Sequence, residues 1–279
     1  MKKSIVMLSD FGINSGLVSC MHGVCKIVDP DIEINDITHL IPAFDIKAAA
    51  YCLNYTVPFW PAGTIFVSVV DPGVGTSRKM CVAKLKNGSY VVTPDNGTLT
   101  YLNAMVGVEE IRMIDEEKHR YPETKEVHVF HGRDIFAYCG AKLASGLISY
   151  EEVGPKYSVE EIVMLDRCES KVEEGYVLAE IQGNDPFGSV ELSVTNKEFK
   201  NSGFNIGDKL DVTVKCEEEV LFHKIVPYEK SFGYVPVGDE VIFNDLAFFV
   251  TMACNQDSFV RKYNLDMTKK YKVKLKKTE

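Results

Sequence analysis

The chain has 279 residues, a formal net charge of −9 and a hydrophobic fraction of 46%. This length allows one large domain or two smaller ones, each able to bury a core. The acidic balance, with no block of lysine or arginine before the last ten residues, argues against a nucleic-acid groove or an anionic membrane partner.

The cysteines and the N-terminus predict a cytoplasmic protein. Eight cysteines are scattered without the CxxC or cysteine–histidine spacing of zinc or redox sites, which is typical of reduced thiols. The initial apolar segment MKKSIVML is interrupted by Ser9 and Asp10, before a signal-peptide core or a membrane span could form.

The first half alternates short apolar strands with helical periodicity. The predicted strands are residues 4–8, 32–37, 64–70, 81–85, 89–93 and 127–130, and the predicted helices are residues 17–28, 43–55, 99–105 and 135–146. Lys86-Asn87-Gly88 supplies turn chemistry for a hairpin between the fourth and fifth strands. The alternation predicts an α/β fold with a mostly parallel sheet and helices on its faces.

Polar clusters follow four of these predicted strands. They contain Asp10, Asp71, Asn96 and the segment from His131 to Asp134. Ligands bind at the carboxyl ends of strands in open α/β sheets, so four clusters together indicate a site. The Asp71 cluster taken alone, DPGVG, is equally compatible with a simple turn.

The composition changes at residues 166–174, which we interpret as a linker between an α/β domain (residues 1–165) and an all-β domain (residues 175–279). Beyond it, alternating segments predict strands at residues 176–181, 190–194, 210–214, 220–226 and 241–243, and residues 246–254 fit either a helix or a strand. The pattern indicates a small antiparallel barrel or sandwich. The basic C-terminal segment YKVKLKKTE is interpreted as a solvated terminal strand.

The order of five motifs carries a family resemblance. The motifs are SDFG at 9–12, DPGVGTSR at 71–78, PDNG at 94–97, FHGRDIFA at 130–137 and DPFG at 185–188. In this order they resemble the S-adenosylmethionine hydroxide adenosyltransferases, adenosine-forming hydrolases related to fluorinase and chlorinase. The resemblance covers essentially the whole chain, most strongly to about residue 145. It implies an N-terminal α/β domain, a C-terminal β-barrel, S-adenosylmethionine as substrate, no cofactor, and a homotrimer with active sites between subunits.

The resemblance assigns the chemistry to Asp71, Arg78 and His131. The sulfonium of S-adenosylmethionine makes methionine a good leaving group, so attack at the ribose C5′ needs mainly an oriented water or hydroxide. Asp71 would accept a hydrogen bond from that water, His131 would hold or deprotonate it, and Arg78 would fix Asp71 and favour the anionic nucleophile. Arg78 as a plain ion-pair partner and His131 as a structural histidine remain open.

The same resemblance implies substrate contacts. Asp10 would bind the ribose diol, with an Asx turn or helix cap as the alternative, and Phe44 would stack on adenine, with core packing as a close competitor. The further implied contacts are Asn14, Ser15, Asn96 and Gly132 in the first domain, and Asp185, Phe187, Ser189, Asn244, Asp245 and Asn255 in the second.

Three positions depart from the family pattern: Ser189 and Asp245 stand where asparagine and serine are usual, and Gln256 where alanine is. They support an alternative interpretation as a non-catalytic nucleoside-binding protein. A halide-using synthase is the other alternative, although its relatives carry other residues in place of the aspartate and histidine. Asp10, Asp71 and His131 lack the spacing of metal ligands, so we predict no metal site and metal-independent activity.

Overall fold

The computed structural model describes residues 4–245 and 248–278. The chain divides between Leu165 and Asp166 into two compact units, which we call the α/β unit and the barrel unit and describe separately. No helix formed by the described residues combines the length and apolar character needed to cross a membrane.

The α/β unit contains seven strands and five α-helices within the described residues. The strands are β1 (Ile5–Ser9), β2 (Ile34–Thr38), β3 (Ile65–Val69), β4 (Met80–Leu85), β5 (Tyr90–Pro94), β6 (Val108–Met113) and β7 (Lys156–Tyr157). The helices are α1 (Leu17–Val28), α2 (Ile46–Thr56), α3 (Thr100–Met105), α4 (Glu116–His119) and α5 (Tyr138–Ser145), and a π-helical segment at Gly132–Ala137 leads into α5.

These strands form one sheet in the order β2-β1-β3-β5-β4-β6-β7. The first four are parallel neighbours, and the remaining pairs are antiparallel. Because β6 is antiparallel to β4, which itself opposes β5, β6 runs with the parallel group. Five of the seven strands (β2, β1, β3, β5 and β6) therefore share one direction, which confirms the predicted mostly parallel α/β sheet.

The central strands are buried on both faces. In β3, Ile65 and Val67 pack into one hydrophobic core, whereas Phe66 packs into the core on the opposite face of the sheet. All three side chains are fully buried. This confirms the interpretation of the β-branched segment as a strand covered by helices on both sides.

The connections around β1 create a switch point. Helix α1 contributes Met21 and Val24 to one core, whereas α2 contributes Ala49 and Leu53 to the other. Strands β2 and β3 consequently lie on opposite sides of β1. A crevice forms at the carboxyl ends of strands whose connections diverge in this way.

The predicted strand at residues 127–130 is wrong. None of these residues belongs to a strand, and Val129 lies in a bend with its side chain exposed, so the apolar character of this segment does not reflect burial in the sheet. The sheet instead contains β6, which the sequence reading missed. Only Val108 and Ile111 of β6 are buried, and the two glutamates between them hide the strand pattern.

All strand pairs of the barrel unit are antiparallel, and the unit also contains short helices. Its strands are β8 (Lys171–Glu173), β9 (Tyr176–Asn184), β10 (Val190–Thr195), β11 (Lys209–Cys216), β12 (Glu219–Pro227), β13 (Glu240–Asn244), β14 (Phe249–Cys254) and β15 (Lys272–Lys277), with helices α6 (Asn196–Phe199) and α7 (Phe259–Lys262). Strand β8 lies within the segment interpreted as a linker and pairs with β9.

This sheet is nearly closed. Its order is β12-β11-β15-β9-β10-β14-β13, and the two end strands approach each other at a bridge between Tyr228 and Ile242. The Glu229 amide also donates to the Ile242 carbonyl at 2.9 Å. The predicted all-β barrel is confirmed.

Two local predictions in this unit have clear outcomes. The C-terminal segment forms the predicted strand, β15, and exposes Lys272 and Lys276, but it lies between β11 and β9 and fully buries Val273 and Leu275. The ambiguous segment 246–254 contains strand β14, while Leu246 and Ala247 lie outside the described residues.

Candidate active site

The α/β unit contains a pocket of about 630 Å³ at the switch point. Asp10 follows β1 and Asp71 follows the end of β3, and both line this pocket together with His131. The remaining lining residues are mostly apolar: Phe11, Leu17, Ala43, Phe44, Val69, Val74, Val127, Val129, Phe130, Gly132 and Arg133. Mostly apolar walls with a few convergent polar groups are typical of a small-molecule site.

Asp71 and Arg78 form a multidentate ion pair at the wall of the pocket. Arg78 Nε donates to both carboxylate oxygens of Asp71, at 2.9 and 3.0 Å, and Nη2 lies 2.5 Å from Oδ2. The exposed fractions of the Arg78 and Asp71 side chains are only 10% and 6%. Such multidentate contacts fix orientation as well as charge, so the Asp71–Arg78 loop holds its carboxylate rigidly.

His131 contacts arginines through both ring nitrogens. Arg78 Nη2 lies 2.9 Å from Nδ1, and Arg120 Nη2 lies 3.2 Å from Nε2. Burial, reinforced by the positive charges of Arg78 and Arg120, lowers the pKa of His131 below its ordinary value of 6.5. The imidazole is therefore neutral around pH 7.

Arg120 is the polar contact to His131 that sequence reasoning missed. It is buried and held by Glu116, whose Oε1 accepts from Nε at 3.1 Å, and by the Val127 carbonyl at 2.7 Å from Nη1. Its sequence context, KHRYPE, carries no motif. Only the fold brings this guanidinium to the site.

The backbone at His131 is shaped by a glycine. Gly132 opens the π-helical segment, and a Cβ added there would lie 3.0 Å from the Phe11 ring and 3.1 Å from Val69 Cγ1. The absence of a side chain thus lets the segment pack against the loop after β1 and the end of β3. π-Helical turns are frequent at functional sites, and this one positions His131 opposite Arg78.

Asp10 holds the backbone of Phe44. The Phe44 amide donates to Asp10 Oδ2 at 2.9 Å, and Phe44 adopts φ 68°, a left-handed conformation that is unusual for an aromatic residue. Its side chain is 71% exposed at the pocket. Core packing of Phe44 is therefore excluded. Within the described part of the chain, no backbone hydrogen bond to Asp10 Oδ1 competes with a ligand.

Three other predicted contacts of the α/β unit do not line the pocket. Asn14 and Ser15 are exposed in the loop before α1. Asn96 uses its amide nitrogen on the Val70 carbonyl at 2.9 Å and its amide oxygen on the Thr98 hydroxyl at 2.8 Å. Asn96 consequently ties the end of β5 to the end of β3.

In the barrel unit, the Asp185 side chain stabilises its own turn between β9 and β10. Its Oδ1 accepts from the amides of Phe187 and Ser189, at 2.9 and 2.8 Å. The turn leaves the Phe187 side chain 81% exposed and Ser189 buried. Phe187 is therefore available for a contact with a ligand or another chain.

The remaining predicted contacts differ in accessibility. Asn244 is exposed at the end of β13 and Asp245 is half-buried, whereas Asn255 is buried and donates its amide hydrogen to the Val235 carbonyl at 2.7 Å. Near Asp245 lies Glu191, which sequence reasoning missed because a glutamate within a strand reads as a solvated residue. Burial, with the nearby Asp245 charge, raises the pKa of Glu191 to about 8.

At the switch point of the α/β sheet, an aspartate and a histidine contact the same arginine beside a pocket of about 630 Å³. This arrangement is typical of small-molecule enzymes with their site at the strand ends. The chain belongs to the SAM hydroxide adenosyltransferase family: its N-terminal domain model matches residues 5–154 and its C-terminal domain model matches residues 179–272.

Two relatives and one solved structure illustrate the similarity. The chain is 37% identical to the (R)-S-adenosyl-L-methionine hydrolase of Methanocaldococcus jannaschii over 60% of this chain and 61% of the relative. It is 32% identical to the enzyme of the same name from Salinispora arenicola over 90% of each chain. The crystal structure of an uncharacterized conserved protein from Thermotoga maritima has a TM-score of 0.86 and 32% identity, covering 97% of this chain and 99% of that one.

Proposed function

We propose that the protein hydrolyses S-adenosyl-L-methionine to adenosine and L-methionine. The water oxygen attacks the ribose C5′, the C5′–S bond breaks with its electron pair going to the methionine sulfur, and the water proton is released. The observation that carries this proposal is the bonded group of Asp71, Arg78 and His131 at the wall of a pocket that also contains Asp10. Membership in a family that includes hydrolases of this name supports it.

The contacts of His131 support a role in handling the water. A neutral imidazole has one N–H and one lone pair, and a guanidinium has only donors. His131 can thus accept from only one of its two arginine neighbours, and its N–H faces the other. A water or hydroxide oxygen beside that N–H would give it an acceptor, while Arg78 and Arg120 would stabilise the negative charge on the oxygen.

Other residues at the pocket are assigned to binding the substrate and the attacking water. Asp10 is assigned to the ribose diol through the oxygen that Phe44 does not use, and the exposed Phe44 ring is assigned to stacking on adenine. Asp71 is assigned to accept a hydrogen bond from the attacking water, with Arg78 holding its carboxylate in place. These assignments need orientation and charge stabilisation rather than a covalent intermediate.

Product analysis tests the proposal. Purified protein incubated with S-adenosyl-L-methionine should release adenosine and methionine in equal amounts, and an Asp71→Asn variant should release far less. Methylthioadenosine with homoserine lactone would instead indicate a lyase. A halogenated nucleoside formed in chloride or fluoride would indicate a synthase, and tight adenosine binding without turnover would indicate a binding protein.

No step of the proposed reaction uses a metal ion. The group of three potential metal ligands found among the described residues does not include Asp10, Asp71 or His131. We expect turnover to continue in the presence of a chelator. Loss of turnover that zinc or magnesium restores would reject this expectation.

We also propose a homotrimer in which each site combines the α/β unit of one chain with the barrel unit of a neighbour. Phe187, exposed on the barrel, is the assigned contact. Co-expressed Asp71→Asn and Phe187→Asp chains test this, because a random mixture would restore wild-type sites in about a quarter of positions. Sites formed within single chains would show no recovery, and light scattering should report the trimer mass.

A cytoplasmic location completes the proposal. None of the eight cysteines, all within the described residues, forms a disulfide. Burial raises the pKa of both Cys25 and Cys139 to about 12, so these two thiols are unreactive. Such a set is compatible with a reducing compartment. Recovery of the native protein in the cytosolic fraction of its host would support the location, and recovery with membranes or medium would contradict it.

A further inference from the structure

A second polar cluster lies outside the residues that line the pocket. His22 projects from α1, Asp36 from β2, and His39 follows the end of β2. Each offers one potential ligand atom, and the three atoms lie within 4.8 Å of one another. Sequence spacing alone does not suggest this group, because His22 comes from a different element than the other two.

Two of the three distances between potential ligand atoms are close to those of a tetrahedral metal site, and the third is at most 4.8 Å. His22 Nε2 and His39 Nε2 each lie 3.0 Å from Asp36 Oδ1. Ligand atoms of a tetrahedral site with bonds of about 2.0–2.1 Å are roughly 3.3 Å apart. Widening the contacts by a few tenths of an ångström requires only small rotations of His22 and Asp36, which are 33% and 37% exposed.

His39 provides an independent observation. Its side chain is only 5% exposed, yet its Nε2 makes no properly directed hydrogen bond with the described residues although Asp36 Oδ1 is near. A ring nitrogen and a carboxylate oxygen that are close without pointing at each other can both point at a third position. A cation at that position would bond to both atoms.

Ser9 fixes the ring of His39 from the other side. Its Oγ lies 2.7 Å from His39 Nδ1. With Nδ1–H donating to this hydroxyl, the lone pair lies on Nε2, the atom that faces Asp36 and His22. A partner on the second ring nitrogen that sets the tautomer and orientation is a regular feature of metal-ligating histidines.

We propose that His22, Asp36 and His39 form a binding site for a divalent transition metal ion such as zinc. Two imidazole nitrogens and one carboxylate oxygen suit zinc, cobalt or nickel better than magnesium or calcium, which prefer oxygen ligands. The partial exposure of His22 and Asp36 leaves an entry path and room for water as a further ligand. The site departs from the metal-free expectation drawn from the sequence.

The ion would brace the segment that presents Asp10. Ser9 ends β1 immediately before Asp10, and the Gly12 amide donates to the His39 carbonyl at 2.7 Å. Metal binding therefore ties α1 and the end of β2 to the loop of residues 9–12. None of the three proposed ligands is assigned to the reaction, so we expect the ion to stabilise this segment and not to take part in the chemical step.

Titration of tag-free, chelator-treated protein with cobalt and zinc tests the site. We expect one ion per chain, visible d–d absorption with cobalt, and a higher thermal midpoint with zinc. His22→Gln should abolish the absorption and the thermal shift, and Ser9→Ala should weaken the affinity by about 10–100-fold. His22 is chosen because its partial exposure lets the variant fold, which circular dichroism checks.

His223→Gln is the matched control. His223 Nε2 lies 2.7 Å from Asp211 Oδ1 on the barrel surface, which is a histidine–aspartate pair outside any group of three ligands found among the described residues. This variant should bind cobalt as the wild type does. No stoichiometric binding, equal binding by His22→Gln and wild type, or equal loss in both histidine variants would overturn the proposal.

Discussion

Two buried carboxyl groups, Asp71 in the α/β unit and Glu191 in the barrel unit, meet opposite surroundings. Asp71 is bound by Arg78 through contacts to both oxygens. Glu191 is only 4% exposed, its Oε2 has no hydrogen-bond partner among the described residues, and the charge that raises its pKa, after burial, belongs to another acid, Asp245. The first environment holds an anion, and the second favours a neutral acid.

The comparison shows that the partners of a buried carboxyl group decide whether it is charged or neutral. Removing a charge from water costs several kcal/mol unless an opposite charge and hydrogen bonds compensate. Arg78 provides that compensation, so Asp71 remains an acceptor fixed in direction. No positive charge among the described residues offsets the burial of Glu191, and its pKa of about 8 keeps it protonated at neutral pH. Glu191 is thus a hydrogen-bond donor close to Asp245, one of the substrate contacts that the family resemblance implies.

The largest effect is expected from replacing Asp71, the carboxylate that Arg78 holds. Asp71→Asn keeps the size but weakens acceptance from the attacking water and the ion pair with Arg78. We expect the chemical step to slow by about 10²–10⁴-fold, ~3–5 kcal/mol, with adenosine affinity largely retained. Single-turnover rates and calorimetry measure the two quantities. Loss of affinity with an unchanged chemical step would contradict the assignment of Asp71.

The second prediction concerns the pH dependence of stability that Glu191 causes. The folded-state pKa of Glu191 is raised to about 8 from 4.5, so between these values the unfolded chain releases a proton that the folded chain retains. Stability therefore falls as pH rises through this window, by roughly 3–4 kcal/mol between pH 5 and pH 8. Glu191→Gln should lose this dependence, as measured by urea unfolding at both pH values. The same change in unfolding free energy between pH 5 and pH 8 in the variant and the wild type would contradict the raised pKa of Glu191.

A smaller effect is expected at Asp10. If Asp10 holds the ribose diol alike in the ground and transition states, Asp10→Asn should weaken adenosine binding by ~1–3 kcal/mol and change the rate at saturating substrate less. The amide oxygen can still accept from the Phe44 amide, so the loop should keep its conformation. Unchanged affinity with a large loss of rate would exchange the roles of the two aspartates.

The smallest expected effect is a shift in pH dependence at His131. Arg120 lowers the pKa of His131, although burial is the larger cause. Arg120→Gln should raise this pKa, so the loss of activity on acidification, as the imidazole becomes charged, should begin at a higher pH. Glu116→Gln is the matched control, because the Glu116 charge raises the same pKa. Glu116→Gln should shift the acidic limb of the activity–pH profile to lower pH. Equal shifts in both variants would contradict this account.

Much of the architecture could be predicted because it depends on local pattern. Helix α1 at Leu17–Val28 has the predicted bounds, since its apolar spacing and the following Asp29-Pro30 fix both its buried face and its end. The hairpin at Lys86 to Gly88 also follows local turn chemistry, with the Leu85 amide donating to the Ser89 carbonyl at 2.9 Å. Strand β6 could not be found this way, because Glu109 and Glu110 separate its two buried residues and leave no regular apolar pattern.

The candidate site was predictable where motifs exist and not elsewhere. Asp71, Arg78 and His131 belong to recognisable motifs, and the structure joins them by hydrogen bonds. Arg120 and Glu191 carry no motif. Their influence arises from burial and from neighbours distant in sequence, which a linear pattern does not encode.

The sequence by itself determined the class of the fold, most of the strands and helices outside β6, and the motifs that identify the family. These features depend on periodicity and turn residues within short windows, where the physical cause is local. Only the tertiary structure decided that Phe44 is exposed at the pocket, that Asn96 ties two strands, and that His22 meets Asp36 and His39. Such outcomes depend on which surfaces remain uncovered and which side chains converge once the sheet is assembled, and residues far apart in the chain settle both.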